Sequence, residues 1–382
     1  MLPRLKSVNC LASAGELVVS LDPAVRVRLA DPDGQVLALL TLLRDGTRTV
    51  AELARELAVR RPGVTEADVA AAVEQLDALG WLEDAAVGPV LDAHDAERYA
   101  SNLAFFDAFT SLTRTREEPQ LRLRGAHVLV LGAGGLGSAV LMNLVGLGVG
   151  AVTVVDQDRV ELRNLARQFT YTEADVGAPK AERVADWLRA FDPTLRVEAF
   201  SRRVTSAADV TALLGGSSLS GRPDVVVSAI DEPDEVDDWV NAACVGAGVP
   251  FVRGGLAYTQ GLYWSVDPGV SACRACLGLH RARLAEGADR EAVTWPRVLR
   301  QDRVNRAIGP VAGVLGGLVA MEALRYLTRV VEPVAAGRYQ LVDFAGSCGV
   351  RTDAWAADPG CAVCATAPRR QGSRGAATVP VP

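Results

Sequence analysis

Residues 127–156 read HVLVLGAGGLGSAVLMNLVGLGVGAVTVVD, and this segment is the strongest indication of the fold class. The apolar run Val128–Leu131 predicts a buried parallel strand, and the residues from Ser138 onward predict a helix. A second apolar run, Ala151–Val155, predicts the next strand. Strand, glycine-rich turn, helix and strand in this order are typical of an α/β fold. We therefore expect a Rossmann-like, doubly wound sheet with helices on both faces.

The glycines between the first strand and the helix indicate a phosphate-binding loop. Gly132 permits a tight turn, Gly134 lets a phosphate approach the backbone, and Gly137 lets the helix pack closely on the strand. The helix N-terminus then offers unpaired N–H groups to an anion. Asp156 ends the second strand, where a carboxylate can accept hydrogen bonds from a ribose. NAD- and FAD-dependent oxidoreductases share this pattern, so it predicts a nucleotide without naming the reaction.

Polar and cationic residues after Asp156 favour phosphate chemistry over hydride transfer. Asn164, Arg167 and Gln168 follow within one short segment, and Lys180 begins another predicted helix. Cations that converge on a triphosphate stabilise the charge that develops during nucleotidyl transfer, and a nicotinamide enzyme does not need them. The next predicted strand ends in Asp231, which is well placed to hold Mg²⁺.

The motifs together resemble the ThiF family, the prokaryotic branch of the ubiquitin-activating-enzyme superfamily. They are Gly132–Ser138, Asp156–Val160, Asn164–Gln168, Lys180 and Ser228–Asp231, and the similarity extends from about Arg98 to about Ala365. The resemblance implies ATP-dependent adenylyl transfer to a carboxylate. It implies catalytic roles for five residues: Asn164, Arg167, Gln168, Lys180 and Asp231. It implies nucleotide binding by six more: Gly132, Gly134, Gly135, Gly137, Asp156 and Asp158.

Two positions depart from the family pattern. Similar enzymes that form a thioester carry a cysteine in a crossover loop, and the segment 294–305 contains none. A thioester step is therefore not expected. Similar enzymes also carry an arginine finger in the first helix of the domain, where this chain has Ser101. Full adenylation then requires that Arg98 or Arg163 takes over this function.

Two cysteine pairs predict a structural zinc site. Four thiolates supplied by two CxxC turns match a closed tetrahedral Zn²⁺ site, and ThiF-like proteins commonly carry one; the four are Cys273, Cys276, Cys361 and Cys364. A disulfide or two unrelated pairs are the alternatives. We expect the other cysteines, Cys10, Cys244 and Cys348, to be buried thiols.

The beginning of the chain predicts a cytoplasmic protein. It shows no signal peptide, and we find no stretch apolar enough to span a membrane. A cytoplasmic setting also makes disulfides unlikely.

The first ninety residues predict a separate winged-helix-like α+β domain. Two strands are expected at Glu16–Leu21 and Val25–Leu29, and three helices at Val36–Leu43, Val50–Ala58 and Glu66–Leu79. Thr49 and Thr65 are the expected N-caps, with Glu52 and Asp68 as their capping-box partners.

This domain is more consistent with peptide binding than with nucleic-acid binding. Residues 1–90 hold 9 Lys and Arg against 13 Asp and Glu, and a surface that binds phosphates should be basic. The segment resembles the PqqD-like domains that recognise leader peptides in ribosomal peptide biosynthesis, which implies a precursor peptide as partner. A purely structural domain is the alternative.

The sequence thus predicts three regions: a leader-recognition domain (1–90), an ATP-binding adenylation domain (91–365) and a disordered tail (366–382). The favoured function is ATP-dependent adenylation of a peptide carboxylate. One alternative is a degenerate leader-binding partner of a YcaO-type cyclodehydratase, favoured by Ser101 and by the missing cysteine. Another is adenylation of a sulfur-carrier protein. The resemblance also implies a homodimer, with the helix predicted at Gly309–Leu327 at its interface.

Overall fold

The computed structural model describes residues 1–13, 15–21, 25–216, 221–286 and 307–368. The chain divides into two compact units, Met1–Leu121 and a second that begins at Arg122. The domain boundary near residue 90 stays a prediction.

The first unit joins short antiparallel sheets to small helices. Its strands are β1 (Pro3–Leu5), β2 (Asn9–Ser13), β3 (Glu16–Ser20), β4 (Val27–Ala30) and β5 (Leu82–Asp84). Its helices are α1 (Gln35–Leu42), α2 (Val50–Arg60), α3 (Glu66–Ala78), α4 (Ala93–Arg98) and α5 (Ala100–Asp107), and α6 (Glu117–Gly125) follows. Strands β2, β3 and β4 form one sheet in that order, and β1 pairs with β5. A buried core of side chains such as Leu17, Leu53 and Trp81 joins sheet and helices.

The predicted elements of this unit are present, together with three strands that were not predicted, β1, β2 and β5. Both capping boxes form: the hydroxyls of Thr49 and Thr65 accept from the N–H groups of Glu52 and Asp68, whose carboxylates bond back. Strand β2 was not predicted, because all five of its residues are exposed and it has no buried apolar alternation.

The second unit is built on an eight-stranded sheet in the order β13-β12-β11-β10-β9-β6-β7-β8. Its strands are β6 (His127–Leu131), β7 (Ala151–Val155), β8 (Arg196–Phe200), β9 (Val225–Ser228), β10 (Phe251–Ala257), β11 (Gln260–Val266), β12 (Arg338–Asp343) and β13 (Val350–Ala354). Its helices are α7 (Gly135–Gly146), α8 (Lys180–Phe191), α9 (Ala207–Leu214), α10 (Val236–Ala247), α11 (Arg274–Glu286) and α12 (Gly309–Thr328). Strands β6 to β10 pair in parallel, and β10 to β13 pair in antiparallel fashion.

Both faces of this sheet are covered, which confirms the predicted doubly wound α/β class. Leu129 and Leu131 of β6 pack in one core with residues of α9 and α10 such as Val210 and Val240. The alternating residues of β6 point to the other face and are also fully buried. Helices α7 and α12 pack against each other and contact β6 and β10, respectively. Helix α7 begins at Gly135, three residues earlier than predicted, because the glycine loop itself turns into the first helical turn.

The prediction that no stretch could span a membrane was wrong, if length and composition are the only criteria. Helix α12 is long and apolar enough to do so, and it is the one such helix among the described residues. Its buried face, with Leu315 and Val319, packs in the core of the second unit, so its apolar character is explained by packing. The cytoplasmic setting stays a prediction.

Two further predictions need correction. Cys10 and Cys348 are exposed, because Cys10 lies on the exposed strand β2 and Cys348 lies in the turn between β12 and β13; Cys244 is buried as predicted. The predicted disordered tail begins too early, since Thr366 ends a 3₁₀ turn and Pro368 lies against Gly248. Residues 369–382 lie outside the described residues.

Candidate active site

A cleft of about 430 Å³ lies at the carboxyl ends of the parallel strands in the second unit. The loops after β6, β7, β8 and β9 and the end of β10 contribute to its walls. Ten of the eleven residues predicted to bind nucleotide or act in catalysis line it: Gly132, Gly134, Gly135, Asp156, Asp158, Asn164, Arg167, Gln168, Lys180 and Asp231. Whether they perform those roles stays a prediction, but the fold brings them to one place.

The eleventh residue, Gly137, acts underneath the cleft. A Cβ atom at this position would lie 1.8 Å from the carbonyl oxygen of Gly132, so only glycine lets α7 start so close to the end of β6. Gly132 itself has φ of +95°, a conformation that L side chains rarely adopt. The loop therefore holds its N–H groups close to the cleft at the N-terminus of α7, which favours an anion.

The Asp156 carboxylate is fixed by the loops beside it. It accepts from the N–H of Ala133 at 2.6 Å and from the N–H of Asp158 at 2.7 Å. Burial raises the pKa of Asp156, and these two N–H donors oppose that rise. Each carboxylate oxygen keeps a further acceptor site, as ribose hydroxyls require.

Arg167 and Gln168 each present a buried polar atom that has no partner within the described part of the chain: Arg167 Nε and Gln168 Oε1. Burial, followed by the nearby charge of Arg163, lowers the pKa of Arg167. The Arg167 side chain lies over the start of α7, where a Cβ on Gly135 would meet its Cδ at 3.3 Å. Buried polar atoms are normally satisfied, so these two fit a polar ligand such as a polyphosphate.

Lys180 is buried at the rim of the same cleft. Its Nζ lies 2.9 Å from Asp158 Oδ2, and its side chain is 6% exposed whereas that of Asp158 is 56% exposed. Asn164 is also buried, and its Oδ1 accepts from the N–H of Glu161 at 2.9 Å. Behind the loop, the hydroxyl of Tyr171 donates to the carbonyl of Ala133 at 2.8 Å. These contacts hold the side chains of Lys180 and Asn164 and the backbone of the glycine loop in place without a ligand.

Asp231 follows β9 and faces the cleft with a side chain that is 58% exposed. One of its oxygens lies 3.4 Å from a guanidinium nitrogen of Arg253, a residue that sequence reasoning missed. The exposed carboxylate surface fits the predicted Mg²⁺, which prefers one or two carboxylates together with phosphate oxygens.

Two more cations line the cleft and were not predicted. Arg202 and Arg203 follow β8 after one intervening residue, and their position at the carboxyl end of a parallel strand was the signal that could have found them. Of the two arginines predicted to replace the finger, Arg163 lines the cleft. Arg98 and Ser101 lie on α4 and α5 of the first unit. Residues 294–305 lie outside the described residues.

The four predicted metal ligands meet in one cluster. Their sulfur atoms all lie within 4.8 Å of one another, with separations of 3.9 Å for Cys273–Cys276, 3.7 Å for Cys273–Cys361 and 3.4 Å for Cys276–Cys364. A tetrahedron with Zn–S bonds of about 2.3 Å has edges of about 3.8 Å. The N–H of Asp358 donates to the sulfur of Cys276 at 3.4 Å, which would stabilise a thiolate there. The cluster fits Zn²⁺, and its four ligands leave no open position for catalysis.

Comparison with known proteins agrees with this geometry. Residues 106–363 match the ThiF family. The chain belongs to the ThiF family. Among similar curated proteins, the sulfur carrier protein adenylyltransferase of Thermus thermophilus is 35% identical over 271 residues, which cover 68% of this chain and 90% of the relative. The molybdopterin-synthase adenylyltransferase of Salmonella typhimurium is 33% identical over 252 residues, or 65% of this chain and 90% of the relative.

Solved structures share the fold over nearly the whole chain. The crystal structure of E. coli MccB superposes with a TM-score of 0.73 at 18% identity, covering 98% of this chain and 99% of that one. The MccB structure with ATP gives a TM-score of 0.71 over 95% of this chain. The predicted enzyme class, an ATP-dependent adenylyltransferase, is confirmed by the family and by its named relatives, and ATP, Mg²⁺ and Zn²⁺ are consistent with both.

Proposed function

We propose that this ThiF-family member adenylates the terminal carboxylate of a peptide. The observation that carries the proposal is the convergence of the glycine loop, the unpaired Arg167 Nε and the exposed Asp231 carboxylate on one cleft. A carboxylate oxygen would attack the α-phosphorus of ATP, forming an acyl–phosphate bond while the bond to pyrophosphate breaks. Arg167 and Lys180 would stabilise the charge on the phosphate oxygens.

The order of the strands supports an orientation in which the ribose lies at Asp156 and the pyrophosphate lies near Asp231. Along the sheet edge the cleft residues run from Asp231 after β9, through the glycine loop after β6, to Asp156 after β7. With the ribose at Asp156 and the phosphates at the loop, the pyrophosphate would lie on the side of Asp231. Mg²⁺ bound there would neutralise the leaving pyrophosphate.

The first unit supports a peptide substrate. Strand β2 is an edge strand, each of its residues is exposed, and Leu11 is 73% exposed. An exposed edge of this kind can pair with an extended peptide by strand addition. We propose that residues 1–90 hold the leader of a precursor peptide and so raise the local concentration of its reacting end. MccB, which shares the fold over both units, has been crystallised with MccA.

ATP–pyrophosphate exchange tests the reaction. We expect exchange with synthetic peptides that carry a free C-terminal carboxylate, and none with the same peptides amidated at the C-terminus. Equal exchange with the amidated peptides would contradict the peptide proposal. The absence of exchange with a panel of peptides that differ in their last residue would also contradict it.

A variant of β2 tests the leader proposal. Leu11→Asp should raise KM for a long precursor and leave the kinetics of a short C-terminal peptide unchanged, because only the long substrate reaches the edge strand. Cys10→Ser on the same strand is the matched control, since it preserves the backbone and adds no charge.

Adenylation of a sulfur-carrier protein is the second candidate, because relatives at 31% and 35% identity are named sulfur carrier protein adenylyltransferases. Exchange that depends on a small carrier protein, and not on peptides, would favour it. The YcaO-partner alternative is less favoured, since the cleft keeps a complete phosphate-binding set. Homodimerisation stays a proposal that sedimentation analysis can test.

A further inference from the structure

Arg253 lies on β10, directly opposite Ser228 of β9, and Ser228 precedes Asp231 by three positions in the chain. Arg253 is 8% exposed. Its Nε lies 2.6 Å from Asp237 Oδ1, its Nη2 lies 3.4 Å from Asp231 Oδ1, and its Nη1 contacts the carbonyl of Gly254. Every side of this guanidinium is therefore engaged by a named acceptor.

The two carboxylates contribute unequally to this arrangement. Asp237 is in the first turn of α10 and makes the shorter contact, so it anchors the guanidinium. Asp231 makes the longer contact and keeps most of its side chain exposed to the cleft. Burial lowers the pKa of Arg253, but the charges of Asp237 and Asp231 outweigh burial and raise it. A planar guanidinium can hold two carboxylates in fixed directions, and an ammonium cannot do so equally well.

We propose that Arg253 is a positioning residue that holds the Asp231 carboxylate in the direction required to bind Mg²⁺ with ATP, a role that rests on the proposed function. One oxygen of Asp231 is occupied by Arg253, and the remaining carboxylate surface faces the cleft. Partners behind a metal ligand fix its orientation, and their loss typically lowers metal affinity about 10- to 100-fold.

The test measures how strongly Mg²⁺ tightens the binding of a non-hydrolysable ATP analogue. Calorimetric titrations in Mg²⁺ and in EDTA give two affinities, and their ratio isolates the metal-dependent part. Removing Arg253 alone would also leave two facing carboxylates without a cation. The double variant Arg253→Gln with Asp237→Asn preserves the net charge of the cluster, because one positive and one negative group disappear together.

We expect the double variant to bind the analogue in EDTA as the wild type does, while the Mg²⁺-dependent ratio falls about tenfold or more. Asp231→Asn should abolish the tightening by Mg²⁺, and its affinity ratio gives the value expected when this metal ligand is lost. Arg351→Gln, an exposed arginine on β13, is the control and should change neither affinity.

A folded double variant with the wild-type ratio would overturn the proposal, as would equal losses in both buffers, which indicate a purely structural role. If the double variant does not fold, Arg253→Lys decides, since it retains the charge but lacks the planar fork: a lower ratio supports positioning and an unchanged ratio refutes it. A wild type that shows the ratio but activates no carboxylate would contradict the proposed function and leave this role intact.

Discussion

The replacement Gly137→Ala should displace the glycine loop of the nucleotide site, although Gly137 does not line the cleft. A Cβ at this position would lie 1.8 Å from Gly132 O, and real Cβ atoms essentially never come within 3.0 Å of another atom, so α7 or the loop must move by about 1.2 Å. Overpacking costs about 1–3 kcal/mol, and a backbone oxygen cannot rotate away, so we expect a loss of about 3 kcal/mol. For a unit of this size, that loss lowers Tm by about 6–12 °C.

The same shift of α7 or the loop should lower the rate of adenylation by more than the loss of folding stability would lower it. Misplacement by about 1 Å can lower a rate about 100-fold, and here the displaced atoms are the N–H groups that face the phosphates. Differential scanning calorimetry and ATP–pyrophosphate exchange measure the two effects. Gly146→Ala, at the exposed end of the same helix with no atom within 4 Å of its Cβ, is the control and should keep or slightly raise Tm. A Gly137→Ala variant with wild-type Tm and exchange would refute the packing argument.

Three further predictions concern other parts of the second unit. Arg167→Ala and Asp231→Ala should each lower exchange about 10²–10³-fold with an unchanged circular dichroism spectrum, and near-wild-type exchange would contradict their assignment. Removal of zinc by a chelator should alter tryptophan fluorescence, because Trp355 Nε1 donates to the carbonyl of Cys273 at 3.0 Å; metal analysis that finds no zinc in the purified protein would exclude the site. Tyr171→Phe should cost about 1–3 kcal/mol in urea unfolding, since it leaves the buried Ala133 carbonyl unpaired, and an unchanged midpoint would count against this.

The nucleotide cleft could be predicted because local patterns dictate it. The glycine loop requires small residues at fixed offsets, and the carboxyl ends of parallel strands meet at one edge of the sheet. Gly132, Asp156 and Asp231 could therefore be placed together from the order of the motifs along the chain. The paired CxxC turns were equally readable, because four thiolates need a common ion.

The missed features depend on tertiary structure. Arg253 follows an apolar run that resembles any buried strand, and its meaning appears only when β10 lies beside β9 and brings it to Asp231. Strand β2 has no buried face, so periodicity could not reveal it. The exposed positions of Cys10 and Cys348 likewise follow from an edge strand and a turn, which composition does not encode.

Helix α10 joins the nucleotide cleft to the metal-ligand cluster. Asp237 in its first turn contacts Arg253, and one turn later Asn241 Oδ1 accepts from the N–H of Arg274 at 2.9 Å, beside the ligand Cys273. One helix thus contacts Arg253, which pairs with Asp231 of the cleft, and Arg274, which is next to the ligand Cys273. If zinc at one end of this helix tightens MgATP at the other, MgATP must tighten zinc by the same factor, because binding free energies are reciprocal. The metal content of a preparation then becomes a variable in every nucleotide affinity measured on it.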